Sequence, residues 1–102
     1  MVFIYTTCRE ETQARTLGGE LVKRNFASCV DIWRIGSIYP SNGGIVEEKE
    51  VAVLIRTMES KVQEIEDFII KYHEGVTHPF IGVYDTRRIN RDYKEWMSGI
   101  VK

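Results

Sequence analysis

The sequence is poor in the features that mark several classes of protein. Its 102 residues include only two cysteines and two prolines. No apolar run approaches the roughly 20 residues needed to cross a bilayer. Fourteen Lys and Arg against fifteen Asp and Glu leave a net charge of −1, without the basic excess typical of nucleic-acid-binding domains. We therefore expect no disulfide-rich scaffold, no membrane partner and no nucleic-acid partner.

The two cysteines, Cys8 and Cys29, do not form a Cys-x-x-Cys motif. Unpaired thiols are typical of a reducing compartment. The first residues also lack the basic segment and long apolar core of a signal peptide. We expect a cytoplasmic protein. The composition, 43% hydrophobic and 28% charged, is that of a single soluble domain over residues 1–102.

The first half of the chain predicts a strand, a helix and a long hairpin. The apolar run at 2–7 predicts a strand, and Thr7 and Glu10 have the spacing of a capping box before a helix over 9–25. Gly18-Gly19 in this helix indicates close packing on a sheet. Two further strands are predicted over 27–39 and 45–57, with a turn-forming stretch at 40–44 between them.

The second half predicts a helix, a strand and a last helix. Ser60 and Gln63 form a second capping box, and a stripe of apolar residues at helical spacing predicts a helix over 60–74 that stops at Gly75. Residues 79–85 predict a strand. Asn90 caps a final helix whose apolar face comprises Tyr93, Trp96, Met97, Ile100 and Val101.

The order β-α-β-β-α-β-α predicts an α+β fold, a ferredoxin-like split βαβ sandwich with a long β2–β3 hairpin and an extra C-terminal helix. One layer of helices covers only one face of such a sheet. The hairpin over 27–57 is also too long for the other two strands to cover. We expect a second copy of the chain to cover the excess, so that 27–57 forms an interface between subunits.

The chain resembles the CutA divalent-cation-tolerance family over nearly its whole length. The segments that carry the resemblance are the opening VFIYTT with its acidic helix start, Leu21 to Val30 (L-x-x-x-x-L-A-A-C-V in the family), Ser37 to Val51 (S-x-Y-x-W-x-G-x-I-E-E-x-x-E-V) and Asn90 to Trp96 (N-x-x-Y-x-x-W). The resemblance implies a homotrimer joined through the long hairpin, a part in the tolerance of copper and other divalent ions, and no enzymatic activity.

The chain departs from the family pattern in two places. The hairpin tip is Pro40-Ser41-Asn42 instead of an aromatic pair. In the family's H-P-Y-x-x-P segment, His73 matches the histidine and Pro79 the second proline, but Glu74-Gly75 replaces Pro-Tyr.

Three residues are the main candidate ligands for a divalent or copper ion, namely His73, Cys29 and Cys8. Thiolate and imidazole suit soft ions. Two have a structural alternative: His73 as a histidine at a helix C-terminus that is favoured by the helix dipole, and Cys29 as a buried thiol. Cys8 is expected at a helix N-terminus, which can lower the pKa of its thiol and so favours a ligand or reactive role.

Other side chains that can bind a metal ion are those of His78, Asp31, Glu47 and Glu48. His78 also fits a loop histidine, and the glutamates fit a solvated strand end. No two candidates have local ligand spacing, so a site must be assembled in three dimensions, at a cleft between subunits.

A different function is also compatible with this fold. By analogy of fold alone, the chain could be a PII-like trimeric regulator that binds a small ligand or an unidentified protein partner without a metal. An acylphosphatase-like hydrolase would need an arginine in a glycine-rich, phosphate-binding loop after the first strand. The segment from Thr7 to Glu11 has the arginine, but it has no glycine and contains two adjacent acidic residues, which disfavours this function.

Overall fold

In a computed structural model, which describes residues 1–73, 75–76 and 78–102, the chain forms one sheet with a layer of helices. The elements are β1 (Val2–Cys8), α1 (Glu11–Lys23), β2 (Cys29–Ser41), β3 (Gly44–Thr57), a 3-10 turn (Glu59–Lys61), α2 (Val62–Tyr72), β4 (Gly82–Asp85) and α3 (Arg91–Ser98). The strands lie in the order β2-β3-β1-β4, and every neighbouring pair is antiparallel. The predicted α+β split βαβ fold is confirmed.

Alternation along β1 defines the two faces of the sheet. Ile4, Thr6 and Cys8 are buried, whereas Phe3 and Tyr5 between them are only partly buried. Side chains of a strand point alternately to opposite faces, so the buried set faces the helices. We call the other side the open face.

The core lies between the helix side of the sheet and the two longer helices. Leu17 and Leu21 of α1 and Ile65 and Ile69 of α2 are fully buried in one cluster with residues of β1 and β3. Gly18 lets α1 approach β2 closely, since an added Cβ there would lie 3.0 Å from Cγ1 of Val30. The predicted close packing of this glycine is confirmed, and Gly19 beside it faces open space.

The β2–β3 hairpin extends well beyond the rest of the sheet. The pairing of β1 with β3 ends at Cys8 opposite Val51, whereas the pairing of β2 with β3 continues to Ser41 opposite Gly44. At about 3.3 Å per residue, the part of β3 that pairs with β2 alone reaches roughly 20 Å past the end of β1. The protomer is accordingly elongated, at 48 × 25 × 21 Å. We call this projecting part of the hairpin, residues 35–50, the hairpin arm.

The turn of the hairpin is tighter than predicted. Pro40 and Ser41 remain in β2, and the turn consists of Asn42 (φ 49°) and Gly43 (φ 80°). An Asn-Gly pair with positive φ at both positions is the two-residue turn that matches the twist of antiparallel strands.

Both predicted capping boxes are wrong. The cap of α1 is Glu10 and that of α2 is Lys61, and neither makes a side-chain capping hydrogen bond. Near α1, the backbone N–H of Arg9 instead donates to Oε1 of Gln13 at 3.1 Å. The start of the second predicted helix is a 3-10 turn, so α2 begins only at Val62.

The ends of the later elements also differ from prediction. The strand predicted over 79–85 is limited to Gly82–Asp85, and α3 ends at Ser98. The predicted last residue of the second helix, Glu74, lies outside the described residues, and Gly75 has the positive φ of 94° expected of a helix stop. Within the described residues, no helix is long and apolar enough to cross a membrane.

Candidate metal centre

Cys8 is the last residue of β1 and lies on the helix side of the sheet. It pairs with Val51 across the ladder, and only 2% of its surface is exposed. Burial, with a smaller contribution from Glu50, raises the pKa of the thiol to about 11. The expectation of a lowered pKa at a helix N-terminus is therefore wrong, because α1 begins only at Glu11 and Cys8 is still in the strand.

His73 follows the last residue of α2 and is also buried. Its backbone N–H donates to the carbonyl of Ile69 at 2.9 Å, and its ring meets that of Tyr72 edge-on, with centroids 5.8 Å apart. Burial lowers the pKa of the imidazole below its usual 6.5. The expectation of an imidazolium favoured by the helix dipole is wrong, because loss of water disfavours the charged ring.

The fold brings Cys8 and His73 together although they are far apart in sequence. Sγ of Cys8 lies 4.0 Å from Nε2 of His73, and both atoms are buried. Two ligands of one ion, with bonds of about 2.3 Å to sulfur and about 2.0 Å to nitrogen, can be up to about 4.3 Å apart. The observed separation and the soft donor set are therefore compatible with a shared ion.

A cavity at the surface reaches one member of this pair, His73. It has a volume of about 730 Å³, and its lining includes His73, Lys71, Ile81 and Pro79. Its lining includes His73 and not Cys8, so an ion in this cavity would contact the imidazole side of the pair.

Cys29 lies far from this pair. It opens β2 opposite Arg56, on the open face, whereas Cys8 pairs with Val51 at the other end of β3 on the helix side. Sγ of Cys29 is 3.8 Å from Oδ1 of Asp31, and partial burial, followed by the charge of Asp31, raises its pKa. The three predicted ligands therefore do not converge within one chain.

The remaining candidates are also dispersed. His78 is exposed, and Glu47 and Glu48 are exposed on opposite faces of the hairpin arm. Asp31 accepts hydrogen bonds from Nε of Arg56 at 3.2 Å and from Nη2 at 2.9 Å. In the part of the chain that the structure describes, no three His, Cys, Asp or Glu side chains come together as a metal site.

One polar network was not predicted from the sequence. Arg56 binds Asp31, and its Nη1 also donates to Oη of Tyr93 at 3.2 Å, while Oη of Tyr93 lies 3.1 Å from Oγ of Ser28. The hydrogen bond to Tyr93 and the neighbouring Asp31 keep the pKa of Arg56 above its usual value. The available signal was the arginine that follows the apolar run at 51–55 in β3.

Comparison with known proteins identifies the family. The model of the family described as "CutA1 divalent ion tolerance protein" matches residues 2–99. The divalent-cation tolerance protein CutA of Thermococcus kodakarensis is 31% identical over 100 residues, which are 98% of this chain and 95% of that protein.

Solved structures agree with this match. The crystal structure of CutA1 from Pyrococcus horikoshii has a TM-score of 0.93 at 27% identity, covering 100% of this chain and 99% of that one. The structure of the periplasmic divalent cation tolerance protein CutA from Archaeoglobus fulgidus also has a TM-score of 0.93 at 27% identity, with 100% of both chains covered. The resemblance seen in the sequence is thereby confirmed, and the chain belongs to the CutA1 divalent ion tolerance protein family.

Proposed function

We propose that this protein is a homotrimer that takes part in the tolerance of copper and other divalent ions, and that it binds a soft ion at Cys8 and His73. The observation that carries the metal site is the separation of 4.0 Å between Sγ of Cys8 and Nε2 of His73. The ion lies inside a protomer in this proposal, and not at a cleft between subunits, because the pair is on the helix side of the sheet.

The protonation states of the pair suit the binding of a soft ion. Burial holds Cys8 as a thiol at neutral pH, so the ion must displace one proton to gain a thiolate ligand. His73 is kept neutral by the lowered pKa of its ring, so its lone pair is available without loss of a proton. The bound ion supplies the charge that makes the buried thiolate stable.

A titration with Cu(I) under reducing conditions, against a competing chromophoric chelator, tests the site. We expect wild type and the matched control Cys29→Ala to bind equally, and Cys8→Ala and His73→Ala to bind more than about tenfold more weakly. Unfolding curves confirm that each variant is folded. Equal affinity of all four proteins would overturn the assignment.

The trimer is supported by the surface that one protomer leaves uncovered. Ile38 and Ile45 of the hairpin arm are 69% and 79% exposed, and Trp33 on the open face is 43% exposed. Apolar side chains on a projecting ribbon are typical of a contact with another copy. Light scattering should give three times 11.9 kDa, about 36 kDa, whereas a monomer at micromolar concentration would contradict the trimer.

Two further features complete the proposal. The matching family and its relatives are named for ion tolerance and not for a reaction, so no catalytic residue is proposed.

We also propose a cytoplasmic location, because Cys8 and Cys29 are both free thiols. Recovery of the native full-length protein in a periplasmic or secreted fraction would contradict that location.

A further inference from the structure

The distance between Cys8 and His73 restricts the kind of ion that the two side chains can share. Ligand bonds of about 2.3 Å to sulfur and about 2.0 Å to nitrogen, drawn from atoms 4.0 Å apart, meet at the ion with an angle of about 137°. The same two bonds at the tetrahedral angle of about 109° would place the two atoms only about 3.5 Å apart. The pair is therefore more open than two ligands of a tetrahedral zinc site.

The open separation is held from both sides by the fold. Cys8 is fixed by the ladder opposite Val51 and belongs to the buried apolar cluster of the core. The backbone of His73 is bonded to the end of α2, and Oη of Tyr72 donates to the backbone carbonyl of Gln13 at 3.1 Å, which ties this helix end to α1. A closely packed interior resists even small shifts of its side chains, so closing the pair to a tetrahedral spacing would strain the core.

The surroundings of the pair offer few further ligands. Across the described residues, no third His, Cys, Asp or Glu side chain joins Cys8 and His73 in a metal-binding group. Glu50, whose charge acts on the thiol, precedes the buried Val51 and so points to the opposite face of β3. Cys8 and His73 are only 2% and 5% exposed. A tetrahedral ion would therefore depend on water from the cavity beside His73 for its other two ligands.

The charge of the ion matters as much as its geometry. A thiolate, a neutral imidazole and a monovalent ion have a formal sum of zero, whereas a divalent ion would leave one positive charge among buried atoms. A buried charge without a partner is strongly unfavourable. The adjoining cavity does not compensate for it, because the two charged side chains among its described lining residues, Lys71 and Glu66, have opposite signs. The burial of the pair thus favours a monovalent ion.

We propose that Cys8 and His73 select a monovalent soft ion, Cu(I) or its chemical analogue Ag(I), and bind it as its only two protein ligands, in preference to a tetrahedral divalent ion such as Zn(II). Thiolate ligands select Cu(I), which accepts two ligands at a wide angle. On binding, the S–H bond is replaced by a bond from sulfur to the ion, and one proton is released to solvent without a change of oxidation state. The inference rests on the proposed function and goes beyond the family description, which names divalent ions.

Spectroscopy of the wild-type protein tests this selection without relying on a folded variant. X-ray absorption of the protein loaded with Cu(I) should show one sulfur and one nitrogen ligand and no third ligand. Co(II) is the divalent probe, because thiolate ligation of this ion gives a charge-transfer band. We expect no such band, and no Zn(II) binding that competes with Cu(I), up to about 100 μM of either divalent ion.

Variants assign the spectra to the pair and test for a further ligand. Cys8→Ala and His73→Ala should each change the Cu(I) spectrum, whereas the control Cys29→Ala should leave it unchanged. Glu74 follows His73 in the sequence and lies outside the described residues. Glu74→Gln should change the affinity for Cu(I) less than about twofold.

The possible outcomes separate this inference from the proposed function. Cu(I) binding that is the same in wild type, Cys8→Ala and His73→Ala would overturn both. If Cu(I) binding depends on the pair, then a thiolate–Co(II) band that Cys8→Ala removes, a third ligand in the Cu(I) spectrum, or a loss of more than about tenfold in Glu74→Gln would overturn the selection alone.

Discussion

Nη1 of Arg56 in β3 donates to Oη of Tyr93 in α3 at 3.2 Å, and the guanidinium carbon lies 5.6 Å from the centre of the tyrosine ring. This contact ties the last helix to the open face near the first residues of β2. One end of the open face is therefore covered within the protomer, whereas the other end, along the hairpin arm, is not.

Removal of the Tyr93 hydroxyl should loosen α3. In Tyr93→Phe, Arg56 and Ser28 lose a shared partner, so we expect the free energy of unfolding to fall by about 1 kcal/mol. Urea unfolding and faster amide exchange in α3 measure this. Tyr84→Phe is the control, since that tyrosine is 51% exposed and should tolerate the change. Equal losses in the two variants would show that the Arg56–Tyr93 contact contributes nothing.

The two adjacent glycines of α1 should respond to alanine in opposite directions. In Gly19→Ala the new methyl group has no neighbour within 4 Å, so helix propensity should stabilise the protein by about 0.5–1 kcal/mol. In Gly18→Ala the methyl group would lie 3.0 Å from Cγ1 of Val30, and we expect a loss of about 1–3 kcal/mol. Thermal or urea unfolding of the pair measures both. Stabilisation by Gly18→Ala would mean that α1 does not pack closely on β2.

The buried thiol of Cys8 should make the protein less stable in alkali. Its pKa is raised from 9.0 to about 11, so below pH 9.0 the thiol is protonated in both states and its stabilisation is fully present. As pH rises towards about 11, the unfolded chain loses this proton while the folded chain keeps it, and the free energy of unfolding falls. Cys8→Ala should flatten this decline, measured by urea unfolding across that range, whereas Cys29→Ala should retain the Cys8 contribution.

The buried imidazole of His73 should make the protein less stable in acid. Because burial lowers its pKa below 6.5, the unfolded chain binds a proton before the folded chain does. Stability from the neutral ring is present above pH 6.5 and is lost as pH falls to the folded-state pKa. Unfolding curves should show a smaller acid loss in His73→Gln than in wild type. His78→Gln, which removes an exposed histidine, should keep the acid loss, and identical profiles for wild type and His73→Gln would contradict the prediction.

A charge on the hairpin arm should break the proposed trimer. Ile38 is 69% exposed in the protomer and pairs with Glu47, so Ile38→Lys should preserve the fold but place a charge in the subunit contact. We expect the mass from light scattering to fall from about 36 kDa towards 11.9 kDa. Val22→Lys, on α1 and 42% exposed, is the control and should stay trimeric. A trimeric Ile38→Lys protein would place the interface elsewhere.

Local patterns predicted most of the fold because they act over a few residues. Alternation and helical spacing gave every strand and helix in order, and Asn42-Gly43 lies at the turn of the hairpin. The predicted helix caps were wrong. Thr7 and Ser60 have the spacing of capping residues, but α1 and α2 begin after Glu10 and Lys61 instead. Whether a serine or threonine caps a helix depends on how the strand before it ends, which spacing does not encode.

The sequence by itself determined the split βαβ order and the excess length of the β2–β3 ribbon, because periodicity and strand length are properties of neighbouring residues. Only the tertiary structure decided that Cys8 meets His73, that Cys29 does not, and that Arg56 meets Tyr93. These contacts join residues from distant segments, and they follow from strand register and helix packing, which bring side chains together irrespective of their spacing in the chain.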